Sequence, residues 1–131
     1  MTSFQTRSLF YSAAVFNWAA VLLLTPWLGL PMLLGLDAAG NSIYDHIALL
    51  AIAGFGFGYW MAGRAPTEHR GLILLGALMK LGVVAIIFGH VLLGDSPINM
   101  AALVSGDLVY AVLFLVYLKR SSTEAISGAA A

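Results

Sequence analysis

Four long apolar runs, separated by short polar breaks, organise this chain. They cover about residues 8–30, 43–63, 71–93 and 98–118. Each is about 21 to 23 residues long. As helices they would measure ~32–35 Å, enough to cross a ~30 Å hydrocarbon core with some tilt. Backbone groups in lipid must be satisfied within the segment, so helix is the expected form. The pattern therefore predicts an all-α fold: a four-transmembrane-helix bundle, one domain over 1–120, followed by a disordered tail at 121–131. The tail, SSTEAISGAAA, is small and polar. No internal repeat relates the runs, so an inverted-repeat transporter is not suggested.

The breaks carry boundary chemistry. Ser42 and Asp45 have capping-box spacing at the start of the second run. Ser96 is placed to cap the fourth, with Pro97 in its first turn. Pro26 should kink or end the first helix, leaving LPMLLGL at the interface. The first run is long, continuous and without a small-x-small cleavage site, so it is read as a retained helix.

Composition agrees with the pattern. Of 131 residues 61% are hydrophobic and 9% charged, against about 25% charged in ordinary globular domains. Net charge is zero, which offers no partner surface for nucleic acid. With no cysteine, disulfides, thiolate metal sites and cysteine nucleophiles are excluded. Basic residues set the expected orientation. Arg7, Arg64, Arg70, Lys119 and Arg120 all fall on one side of the four runs, whereas the opposite loops hold Asp37 and Asp95 and no Lys or Arg. By the positive-inside rule both termini are cytoplasmic.

The candidate chemistry begins with a charge in the wrong place. Lys80 lies inside GALMKLGVV (residues 76–84), nine residues after Gly71 and so ~13.5 Å into the third run. Asp107 lies nine residues after Ile98 and Asn17 nine after Ser8, which puts all three near the midplane. A lone charge there costs ~2.5–3.5 kcal/mol, so a Lys80–Asp107 pair with Asn17 as third partner is the economical arrangement. Asp107, Tyr110, Phe114 and Tyr117 share one helical face, as a polar path or as aromatic packing. The intramembrane polar cluster is thus Lys80, Asp107, Asn17 and Tyr110. Gly54, Gly58 and Ala62 form a small-residue stripe for helix packing, in the bundle or in a dimer. His46 and His90 lie equally deep in their runs, which a bis-histidine haem or a metal would need. His69, with Arg64 and Arg70, is expected to meet lipid phosphates. Trp27 and Trp60 suit opposite interfacial belts, and Trp18 packs deeper. No catalytic motif and no metal motif is present.

Three stretches, YWMAGRAPTEHRGLILLGALMKLG, GDLVYAVLFLVYLKR and FNWAAVLLLTPW, resemble an uncharacterised bacterial family of small four-span integral membrane proteins, DoxX-like in size and layout. Some DoxX-like proteins associate with quinone-linked redox systems. The resemblance implies the four-span fold and no activity; the expected location is the bacterial inner membrane, as a multi-pass protein. Arg64, Lys80, Gly106 and Asp107 lie within the matching stretches. With no catalytic motif and with short loops, the expectation is a non-enzymatic subunit or interaction protein in the lipid bilayer, as a homodimer or part of a larger membrane complex. The alternatives are a proton-coupled or small-solute transporter acting as an oligomer, and a redox protein associated with haem or quinone.

Overall fold

A computed structural model describes residues 2–130, and among these every regular element is helical. Helix α1 spans Ser3–Leu24, a 3-10 turn follows at Pro26–Leu28, and α2 is a short helix at Leu30–Leu34. Helices α3 (Ile43–Arg64), α4 (Arg70–Leu93) and α5 (Ile98–Ala130) complete the chain. The helices α1, α3, α4 and α5 are long and apolar enough to cross a membrane.

Local chemistry explains most boundaries. Thr2 and Gln5 form a reciprocal capping box that starts α1. Pro26 has no N–H to continue the ladder and forces Thr25 into extended geometry, so α1 stops at Leu24. The first run is thus shorter at this end than 8–30; its last residues form the 3-10 turn and enter α2. Glycines with left-handed φ, Gly29 at 67° and Gly35 at 62°, bracket α2. Ser42 and Asp45 make the expected capping box on α3. Ser96, however, donates its hydroxyl to Asp37, and α5 begins only after Pro97. That bond and Asn99 Nδ2 donating to Leu34 O at 3.0 Å fasten the α1–α3 connection onto α5.

The C-terminal segment departs from expectation. Helix α5 runs through Ala130 where a disordered tail was expected, and Ala131 lies outside the described residues. Ser122 and Thr123 donate their hydroxyls to carbonyls one turn back, Leu118 O and Lys119 O. Arg70 reaches across from α4 to Ser121, Ser122 and Leu118 O. These bonds anchor the first turn of the segment with little burial.

The helices pack as two close pairs, α1 with α3 and α4 with α5, joined mainly by side chains. Phe10 and Phe114, fully buried on α1 and α5, meet at a tilt of 41° with ring centroids 5.1 Å apart. Tyr59 of α3 meets Phe114 edge-on at 5.1 Å, and Tyr117 meets Phe10 edge-on at 5.4 Å. With Ile73, Ala77, Ala13 and Ala62 these rings form a dry layer in the half of the bundle nearer the termini.

Glycines set the close approaches, and they are not the ones that the i, i+4 stripe picked out. Gly58 and Ala62 are buried, and a Cβ on Gly58 would touch Leu72 at 3.3 Å. Gly54 instead is exposed, and a Cβ there would meet nothing within 4 Å among the described residues. The tight contacts are at Gly56 under the Trp18 ring, Gly63 under Tyr11, Gly76 under Tyr59 and Gly106 under Phe16. At each, a Cβ would lie 2.5 or 2.6 Å from an aromatic atom. Rings lie on bare backbone in this bundle, so the small-residue spacing of one helix is not a guide to its packed face.

Candidate functional site at the centre of the bundle

Asn17 and Trp18 are consecutive on α1, and Gly56 lets both reach the backbone of α3. Asn17 Nδ2 donates to Ile52 O at 3.0 Å, and Trp18 Nε1 donates to Ala53 O at 3.2 Å. Those two bonds aim the other end of the Asn17 amide inwards. Its Oδ1 accepts from Lys80 Nζ at 2.9 Å. On the other side Lys80 Nζ donates to Asp107 Oδ1 as a salt bridge. Helices α1, α3, α4 and α5 are thus joined through one ammonium. The structure brings the three midplane residues together as their equal depth suggested.

The rest of the ammonium faces aromatic rings. Tyr59, Phe16 and Tyr110 have centroids 5.2, 5.4 and 5.7 Å from Lys80 Nζ. Ring faces carry partial negative charge and attract a cation at this range. Tyr110, expected as a polar member, contributes through its ring and packs on Phe16 at 5.4 Å. The Lys80 side chain is 4% exposed and that of Asp107 17%. The asymmetry matters: the cation is enclosed, whereas the anion retains an open side.

That open side belongs to a cavity of about 300 Å³ on the side of the ion pair away from the termini. Asn17, Lys80 and Asp107 contribute its polar wall; Leu24, Ile52, Ile87, Leu103 and Val104 are among the apolar ones. In the other direction the Phe10–Tyr59–Phe114 layer closes the bundle. The stripe Asp107, Tyr110, Phe114, Tyr117 is therefore one face, as its spacing required, and beyond Asp107 that face is aromatic packing. Phe114 is fully buried, with its ring against those of Phe10 and Tyr59.

The remaining candidates lie elsewhere. His46 is exposed and its ring lies 5.4 Å from that of Trp27, while His90 Nδ1 is 3.6 Å from Asp95 Oδ2 on an exposed helix end. Neither lines the central cavity. Among the described residues no three His, Asp or Glu side chains gather into a metal site. His69 Nδ1 contacts Ala65 O at 2.9 Å and so braces the α3–α4 turn. Arg64 covers the Trp60 ring at 5.2 Å.

Comparison with family models, with curated proteins and with solved structures finds no match. The arrangement must therefore speak through its chemistry. An ion pair whose cation is enclosed and whose anion is partly open connects four helices. It presents one accessible carboxylate edge to an apolar space. Sequence reasoning did not find the cavity, the aromatic enclosure of Lys80 or the Gly56 contact. The only signal available was the run GFGFGYW, whose alternating small and aromatic residues hint at rings on bare backbone without saying which ring meets which glycine.

Proposed function

We propose that this chain is a multi-pass protein of a bacterial inner membrane, a small non-enzymatic subunit or interaction protein whose Lys80–Asp107–Asn17 cluster keeps its four spans in register. The observation that carries the reading is the outer surface. Large apolar side chains such as Val15, Leu50, Phe57, Leu78, Ile86 and Val109 are exposed along all four long helices. A water-soluble monomer rarely exposes apolar surface on this scale, and a bilayer covers it without cost. Orientation rests on Arg7, Arg64, Arg70, Lys119 and Arg120 at one end against Asp37 and Asp95 at the other, which supports both termini in the cytoplasm. The bacterial setting rests on the resemblance of the three stretches quoted above. Gly54, open on the outer face of α3, supports a homodimer or a larger membrane complex by leaving room for another helix to approach.

Affinity purification in mild detergent tests the subunit reading. The tagged protein should bring down a stoichiometric partner or a second copy; a stable monomer under every mild condition rejects it. The cavity beside Asp107 favours a second reading, a small-solute carrier acting as an oligomer. In that case Asp107→Asn abolishes flux in liposomes, and unchanged flux removes the reading.

A further inference from the structure

The cavity beside the ion pair has a direction and a polarity that together specify an occupant. Its exposed wall residues, Ala48 and Ala51 on α3 and Met79 and Val83 on α4, flank a lateral mouth between these two helices. The contacts joining α3 to α4, Leu72 on Gly58 and Tyr59 on Gly76, lie in the halves nearest their shared turn. Beyond them the helices leave the opening. If the helices span a bilayer, a mouth between two of them faces lipid, so the occupant arrives dissolved in the bilayer and is largely apolar. The volume, about 300 Å³, is at the small end of the ~300–1,000 Å³ typical of small-molecule pockets.

The polar end narrows the class further. Asp107 Oδ1 accepts from Lys80, and Asp107 Oδ2 has no donor among the described residues. Nor is Oδ2 sealed: among the described residues the only enclosed unpartnered side-chain oxygen is that of Thr25. A free carboxylate edge at the end of an apolar cavity calls for a hydrogen-bond donor. The donor must be uncharged. Lys80 already balances the carboxylate, so an added ammonium would bring an unmatched charge into an apolar space beside a second cation. An added anion would oppose the carboxylate directly.

We propose that this cavity binds an uncharged, hydroxyl-bearing apolar molecule, a phenol or alcohol small enough to enter between α3 and α4, whose O–H donates to Asp107. The site works in the single chain and requires no protein partner, so its test is independent of the subunit reading.

Native mass spectrometry of the detergent-purified protein reads the site, with three probes of one shape: 2-naphthol, 2-methoxynaphthalene and 2-(aminomethyl)naphthalene. The wild type should bind one naphthol per chain, and the methyl ether, which has no O–H to donate, about tenfold more weakly or worse. The ammonium probe should do no better than the ether. In K80M/D107L, which keeps the end of the cavity neutral and apolar, naphthol should lose its preference over the ether. Ala51→Phe, at an exposed wall position, should obstruct the mouth and abolish binding of all three, with an unchanged helical melting profile showing that it folds. Equal binding of naphthol and ether by the wild type overturns the proposal. So does tightest binding of the ammonium, a hydroxyl preference that survives K80M/D107L, or unaltered binding by a folded Ala51→Phe.

Discussion

Lys80 has two oxygen partners and three ring faces around one ammonium, so its charge is satisfied only while all its neighbours are present. Removing one member of a buried pair strands the other, which costs about 3–5 kcal/mol, whereas replacing both with apolar residues is often neutral. A double-mutant cycle in detergent should follow this pattern. Lys80→Met and Asp107→Leu each destabilise strongly, and the double variant recovers most of the loss. Small additive effects would show that each charge already sees water. Asn17 is the subtler member, since it has a partner at each end of its amide. Asn17→Leu should cost about 1–3 kcal/mol in the same unfolding assay through the acceptor taken from Lys80. In the Lys80→Met background that cost should shrink markedly.

Helix α3 carries two kinds of glycine, and they should respond oppositely to alanine. At Gly56 a Cβ would lie 2.6 Å from Trp18 Nε1, on a ring held in place by its bond to Ala53 O. Gly56→Ala should therefore destabilise by about 1–3 kcal/mol, the usual cost of overpacking. At Gly54 an added Cβ would meet nothing within 4 Å among the described residues. Gly54→Ala should leave the monomer unchanged or up to about 1 kcal/mol more stable, because glycine is the poorer helix former. If Gly54→Ala weakens self-association while sparing the monomer, the outer face of α3 is the contact between copies. Helix α5 makes a separate prediction through Arg70, which holds Ser121, Ser122 and Leu118 O. Arg70→Ala should speed amide exchange over residues 121–130 by about tenfold or more, the equivalent of losing hydrogen bonds to a charged donor. Unchanged exchange would mean that helix propensity alone carries the segment.

At the scale of the molecule, the exposed apolar surface and the one-sided cations make a statement about placement in a bilayer. The chain has no cysteine, so single introduced cysteines report cleanly. In intact cells, an impermeant maleimide should label Asn41→Cys on the acidic side; Thr67→Cys, in the α3–α4 turn, should react only after the membrane is opened. The reverse pattern would invert the orientation. The same whole-molecule view limits the carrier reading. Below the ion pair the Phe10, Tyr59 and Phe114 rings close the bundle, so a route through one chain requires that layer to move.

The all-helical architecture and the number of long helices were determined by the sequence alone, because both follow from local quantities: apolar run length, the break at Pro26 and the Ser42–Asp45 cap. The depth of Lys80, Asp107 and Asn17 was also legible, since rise per residue converts position into depth. Rotation about each helix axis was not, and rotation decides which residues meet. Only the tertiary structure turned Asn17 and Lys80 towards each other, left Gly54 outside while Gly56 received Trp18, and opened a space beside Asp107. The tail belongs to the same class. Its helix is anchored by Arg70, roughly fifty residues away in the chain, a contact that no local composition encodes.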